Sequence, residues 1–267
     1  MIVDSNLPVE RDRLKNRLIR LVKEDREIVG CFFDGSIGSN QEDFYSDIDA
    51  RIVVKPHVNL KRKQREIINA IGEHLFIETQ GLNYAVIHYA TFIKLDLFVY
   101  YEADLEPSVW SKNIEIVKDN GMIRELQYVS QSVVYRIDQA EFDDLVFKYY
   151  GHYFALYRSL KRKELNDLEF ISLYLKHSLV SMWYIEKGYA PNATFDWSQY
   201  EGRRSKLSKY EKEFLQSYSP LLEEDMADFT KEIRILMFQA TEKVAVYNNL
   251  NFDKKVFRDV HRLISFK

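Results

Sequence analysis

The chain has 267 residues and a mass of 31.8 kDa, enough for one large domain or two ordinary ones. With 46% hydrophobic and 30% charged residues, 9 Gly, 5 Pro and no internal repeat, it falls outside the collagen, low-complexity and disordered classes. The formal charge is −3, from 38 basic and 41 acidic residues, so no overall attraction draws it to a long nucleic acid.

In chain order, Met1-Ile2-Val3-Asp4 offers neither a basic start nor an apolar h-region. No apolar run approaches the ~20 residues that cross a bilayer, so a cytoplasmic protein without a membrane span is expected. After Pro8, Leu14, Leu18, Leu21 and Val22 fall at helical spacing and predict an amphipathic helix over 13–27. Ile28 to Phe33 is a short apolar and aromatic run stopped at Gly35, which predicts a strand. Its Cys31 is the single cysteine and has no partner for a disulfide or a CxxC site, which fits a reducing compartment. From Asp47 to Val54, Asp47, Asp49, Arg51 and Val53 alternate with Ile48, Ala50, Ile52 and Val54, the pattern of a second strand ended by Pro56. Residues 59–75 read as a helix, with Lys61-Arg62-Lys63-Gln64-Arg65 as its exposed face. Residues 84–88 and 91–101, rich in β-branched and aromatic side chains, predict an antiparallel pair.

Beyond Gly121 only the helical period survives. Asp138 with Glu141 resembles a helix start, and Phe142, Leu145, Val146, Tyr149, Tyr153, Leu156 and Leu160 keep one apolar face. Leu168 to Ile185 predicts the next helix, stopped at Gly188 with Pro191 beyond, so that the two form an αα-hairpin. A long helix through Met226 and Tyr247 and a shorter one through Val256 and Leu263 complete a bundle. The expected class is therefore α+β. A mixed β-sheet flanked by helices occupies 1–130, and an all-α helical bundle occupies 131–267.

The residues that point to chemistry lie in the first part. Phe33-Asp34-Gly35-Ser36 is followed, after ten intervening residues, by Asp47, within Ser46-Asp47-Ile48-Asp49. On a strand, Asp47 and Asp49 point the same way. Two carboxylates on one face need raised pKa values or divalent cations, and a hard oxygen site beside an anionic substrate suits Mg²⁺. Asp96, among the apolar residues of 91–99, is a third acid that needs a partner. Three strand-borne carboxylates beside a Gly-Ser turn suit two-metal phosphoryl or nucleotidyl transfer. Gly35 lets the backbone approach a phosphate, and Ser36 with nearby N–H groups can hold the non-transferred phosphates.

These residues resemble the signature of the polymerase-β-like nucleotidyltransferase superfamily: a strand ending in Gly-Ser, about a dozen residues, Ser-Asp-hydrophobic-Asp, and a third acid on a later strand. Gly35-Ser36, Ser46-Asp47-Ile48-Asp49 and Asp96 match it position by position, within about the first 105 residues. The helical second half, with weaker similarity around 158–164 and 202–209, resembles the aminoglycoside adenylyltransferases and lincosamide nucleotidyltransferases. The resemblance implies two Mg²⁺ ions held by Asp47, Asp49 and Asp96, with Asp96 either a ligand or the base. It also implies ATP as the nucleotide, AMP transfer to a small-molecule hydroxyl such as that of an antibiotic, and an acceptor cleft between the halves; a homodimer is left open. Asp34 departs from the apolar or neutral residue usual in that family, and an acid there repels a triphosphate unless it points away.

Basic residues are needed to offset a triphosphate. The candidates are Arg158, Lys161 and Arg162 at a helix end, Arg162 foremost, and Arg203, Arg204 and Lys206 in a loop. Lys94 shares a face with Asp96 and can neutralise it or touch phosphate, and Glu102 and Asp104 are the alternative bases. Tyr149, Tyr150, Tyr153, Phe154 and Tyr157 can stack on a base, although helical spacing assigns most of them to the core. No Walker A loop, GxGxxG, GxSxG or HExxH is present, which removes support for P-loop, Rossmann, serine-hydrolase and zincin readings. Two other functions stay open: AMP transfer to a protein hydroxyl, and a non-catalytic nucleotide binder on the same fold.

Overall fold

The computed structural model describes residues 6–218, 223–264 and 266, so the Met1–Asp4 start lies outside the described residues. The chain divides into two compact units, Met1–Val133 and Val134–Lys267. The architecture is α+β, as the sequence pattern predicts.

The first unit opens with α1 (Leu7–Glu24), which begins earlier than the apolar period suggests. Pro8 falls in its first turn, where no intrahelical partner is required of its missing N–H. Then come β1 (Ile28–Phe33), the single turn α2 (Gly35–Gly38), β2 (Ile48–Val54) and α3 (Leu60–Ile71). They are followed by β3 (His74–Gln80), β4 (Tyr84–Tyr89), β5 (Lys94–Tyr101), β6 (Glu115–Lys118) and α4 (Met122–Ser130). The strands form one mixed sheet in the order β3-β4-β5-β2-β1-β6, in which β2 and β5 are parallel and the other pairs antiparallel.

Strand alternation gives the sheet two different faces. Ile48, Ala50, Ile52 and Val54 of β2 and Leu95, Leu97 and Val99 of β5 are fully buried in one core. They share it with Leu14, Leu18 and Val22 of α1 and Ile67, Ile68 and Ile71 of α3. The intervening residues, Asp49, Arg51, Asp96, Phe98 and Tyr100, are half-buried on the opposite face. Toward β1, that face is closed by a small cluster of Phe32, Val53, Ile114, Ile123 and Leu126.

One expectation is corrected here. The 61–65 run is not an exposed face throughout, because Lys63 and Gln64 are buried. Lys63 Nζ pairs with Asp25 at 2.8 Å, Glu27 at 2.5 Å and Glu66 at 2.9 Å. Three carboxylates around one ammonium satisfy a charge that otherwise does not enter an interior. Arg62, also in contact with Glu27, extends the network.

The second unit consists of α5 (Gln139–Arg162), α6 (Leu165–Glu186), α7 (Lys209–Ser217), α8 (Glu223–Asn248) and α9 (Lys254–Arg262). The Asp138 carboxylate accepts from the Glu141 N–H at 2.9 Å and starts α5, while Lys163 at φ 60° ends it and allows the tight turn into α6. Tyr149, Tyr150 and Tyr153 are buried core residues, and the Tyr149 hydroxyl lies 3.2 Å from His261 Nε2. The helix α7 was not anticipated, although a capping box between Ser208 and Glu211 starts it. Among the described residues, no helix is long and apolar enough to cross a membrane.

Candidate active site

Parallel pairing of β2 with β5 sets Asp49 directly beside Asp96. Asp47 stands one residue before β2 and joins them through Lys94, whose Nζ lies 2.9 Å from Asp47 Oδ2 and 3.3 Å from Asp96 Oδ2. The approach to β2 is built by Ser46 and Arg11. The buried Ser46 hydroxyl accepts from the Asp43 N–H at 2.8 Å and donates to its carboxylate at 3.1 Å. The buried Arg11 of α1 donates to the Asp43 carbonyl at 2.6 Å and so anchors this turn from below.

The Gly-Ser turn meets the same point from β1. The Asp34 N–H donates to the Asp49 carbonyl at 3.2 Å, and Gly35 stands at φ +60°. A Cβ on Gly35 would come within 2.2 Å of Asp49 Oδ2. Glycine is therefore required twice, by its backbone conformation and by the carboxylate lying against it. Ser36, half-buried, follows at the start of α2, and its carbonyl is fixed by the Gln41 N–H at 2.8 Å.

The electrostatics follow from this crowding. Burial, and then the charges of Asp34 and Asp96, push the Asp49 carboxyl up to about 6. Burial raises Asp96 as well, against the pull of Lys94. Burial disfavours the charge of Lys94, but its bonds to the carboxylates of Asp47 and Asp96 outweigh that and hold it above the ordinary lysine range. Asp34, also raised by burial, is paired with Arg51: Nε donates to Oδ2 at 2.7 Å. Asp34 Oδ1 and Asp96 Oδ1 are buried without a hydrogen-bond partner among the described residues.

An all-oxygen donor set in which Asp96 Oδ1 is orphaned is chemically suited to a hard divalent cation. Among the described residues, no three His, Cys, Asp or Glu side chains already converge as a metal cage, and between Asp47 and Asp96 the positive charge is supplied by Lys94.

The other candidates are placed as follows. Arg162 belongs to the second unit, at the end of α5, mostly exposed and 3.9 Å from Glu164. Arg158 and Arg203 are exposed, Lys161 lies over the Tyr157 ring at 5.2 Å, and Lys206 over the Tyr189 ring at 5.6 Å. Asp104 accepts the Tyr101 N–H at 2.9 Å and so closes the turn after β5, while Glu102 is exposed. The residues that the sequence did not bring forward are Arg11 and Arg51. For Arg51 the signal was present, since it alternates with Asp47 and Asp49 on one face of β2.

No protein-family model matches the chain, and no curated protein does. Twelve chains of known structure match. One is an aminoglycoside 6-adenyltransferase from Bacillus subtilis, 17% identical with a TM-score of 0.41, aligned over 93% of this chain and 98% of that one.

Proposed function

We propose that the protein is a nucleotidyltransferase that moves a nucleoside monophosphate, AMP from MgATP, to a hydroxyl of a small polar acceptor such as an aminoglycoside or lincosamide. The observation that carries this reading is the register of β2 with β5. It sets Asp49 beside Asp96 on the half-buried sheet face, with Asp47 at the strand start and Gly35 against the Asp49 carboxylate. Asp47 and Asp49 would hold divalent cations, which, when bound, offset triphosphate charge and stabilise the attacking and leaving oxygens, and Asp96 would either complete that ligand set or act as the base. The Gly35-Ser36 turn holds the β and γ phosphates. Lys94, already charged between two of the acids, offers a cation to the phosphates. The acceptor oxygen bonds to the α-phosphorus as the bond to the β-phosphate oxygen breaks, and pyrophosphate leaves with that electron pair; the acceptor proton passes to a base, for which Asp96 is the candidate within the site.

Asp34, the acid that departs from the family pattern beside the Gly-Ser turn, is paired with Arg51 in a contact that offsets its charge. Catalysis is therefore the better-supported reading. The test is pyrophosphate release across four nucleoside triphosphates and a panel of aminoglycosides and lincosamides, with Mg²⁺ and with EDTA. Release that needs both one acceptor and the divalent ion is expected. Turnover in EDTA overturns the mechanism, and nucleotide binding without turnover on any acceptor, protein hydroxyls included, points to a binder.

Gly35→Ala tests the geometry. Positive φ costs a β-carbon residue about 1 kcal/mol, a fall of a few degrees in Tm for a unit of this size. The methyl group also displaces the Asp49 carboxylate, and misplacement by ~1 Å costs about 100-fold in rate. A variant with near-normal turnover would show that Asp49 is not held against the turn during the reaction.

A further inference from the structure

The sheet face beside the acids carries a group that the proposed mechanism leaves unused. Arg51 makes three different contacts at once: Nε to Asp34 Oδ2 at 2.7 Å, Nη1 to the Tyr100 hydroxyl at 2.9 Å, and its guanidinium carbon 3.6 Å from the centre of the Phe98 ring. The side chains of Arg51 and Asp34 are 23% and 12% exposed, so the pair sits inside the site's floor, where solvent screens it weakly. Asp34 immediately precedes the Gly35-Ser36 turn, and its backbone is bonded to Asp49. Left alone, its carboxylate adds a fourth negative charge to Asp47, Asp49 and Asp96 at the place where a polyanion is to bind. Among the described residues, Arg51 bonds Oδ2 of Asp34 and nothing bonds Oδ1.

We propose that Arg51 is a positioning residue for nucleotide binding: by pinning Asp34 to the sheet and offsetting its charge, it makes the Gly35-Ser36 turn acceptable to a triphosphate. This inference rests on the nucleotidyltransferase reading. Arginine suits the task because a planar guanidinium can donate sideways to Asp34 and Tyr100 while its face lies on Phe98. The arrangement keeps Arg51 from swinging out to the phosphates itself, so its effect passes through Asp34. Asp34 and Arg51 are thus a matched pair in which removing one partner is worse than removing both.

The experiment measures direct binding of MgATP, MgGTP, MgCTP and MgUTP, together with Tm, for the full-length wild type, Asp34→Asn, Arg51→Met, Arg51→Lys and the Asp34→Asn/Arg51→Met double variant. Wild type is expected to bind at least one of the four. Arg51→Met should weaken that binding about tenfold or more, because it exposes the nucleotide to an uncompensated carboxylate. Asp34→Asn should bind as well as wild type or better. The double variant should return to within about threefold of wild type, and Arg51→Lys, which keeps the charge and loses the Tyr100 and Phe98 geometry, should stay within the same range despite a lower Tm.

A purely structural role for Arg51 predicts no such rescue of binding. If the double variant binds as weakly as Arg51→Met, or if Asp34→Asn alone loses tenfold, the proposal is overturned: Arg51 then touches the nucleotide itself, or the Asp34 carboxylate is needed in its own right. Should Arg51→Met fail to fold, the double variant, which buries no unpaired charge, decides the matter alone by binding like wild type or not. Wild type binding none of the four nucleotides overturns the proposed function, and this inference with it, before any variant is compared.

Discussion

Asp49→Asn is expected to abolish nucleotidyl transfer and, in the absence of divalent ions at neutral pH, to raise the melting temperature. Asp49 is buried among like charges, and its carboxyl is pushed up to about 6 by burial, Asp34 and Asp96. A carboxyl whose folded pKa exceeds its unfolded value binds its proton more tightly when folded. Its contribution to stability is therefore fully present below the unfolded pKa of about 4 and is lost as pH rises through about 6. At neutral pH the ionised wild type bears a cost on the order of 2–3 kcal/mol that the amide avoids. The gain in Tm over wild type, several degrees by this measure, should appear between about pH 4 and 6 and vanish at lower pH. Thermal melts across that range in EDTA, beside an activity assay, check both halves. A variant that melts lower than wild type at neutral pH while retaining turnover would mean that Asp49 is a structural acid. Asp47→Ala provides the contrast, since Asp47 is 44% exposed and its pairing with Lys94 is screened by solvent. Its loss should leave Tm nearly unchanged while turnover collapses.

Asp96→Asn should lower turnover by about a thousandfold or more, because the substitution removes a charge that contacts the reacting groups in either of its possible roles. The amide keeps the volume of the carboxylate, so packing on β5 is little disturbed. The two roles give different results. As a cation ligand, Asp96 is needed for metal affinity, and its loss weakens Mg²⁺ or Mn²⁺ binding while the pH profile of the residual activity keeps its shape. As the base, its loss removes the acidic limb of that profile and leaves metal binding intact. The ligand role is the one we propose. Asp96 sits mid-strand in register with Asp49, its side chain only 19% exposed, and has little freedom to follow acceptors of different shape. Near-normal turnover with unchanged metal dependence would exclude both roles and move the search to Glu102, since Asp104 is committed to capping the turn after β5.

Much of the candidate site is legible in the sequence, because it is carried by local patterns. The alternation through Asp47, Asp49 and Arg51 placed three charges on one face, and β2 shows that alternation as half-buried charges between fully buried apolar residues. The run 28–33 is a strand with the bounds its composition predicts. The strands β3 and β6 were missed for a physical reason: both lie at sheet edges, are packed on less of their surface, and so carry no clean period of two. Lys63 was misread because a helix face rich in charge ordinarily faces water, and only the approach of Asp25 and Glu27 from before β1 turns it inward.

By itself the sequence determined the alternation of the strands, the helical period of the second half, and the presence of a Gly-Ser turn and three acids in suggestive order. Each depends on residues close together in the chain, where backbone geometry alone decides which side chains share a face. Tertiary structure alone decided that β2 runs parallel to β5 so that Asp49 meets Asp96, that Lys94 stands between Asp47 and Asp96, and that Arg51 reaches across to Asp34. Apart from the local Lys94–Asp96 pair, those contacts join residues 17 or 47 positions apart, through pairing and burial that no local period encodes. The same long-range packing makes Asp34, an apparent obstacle beside the Gly-Ser turn, half of a charge pair.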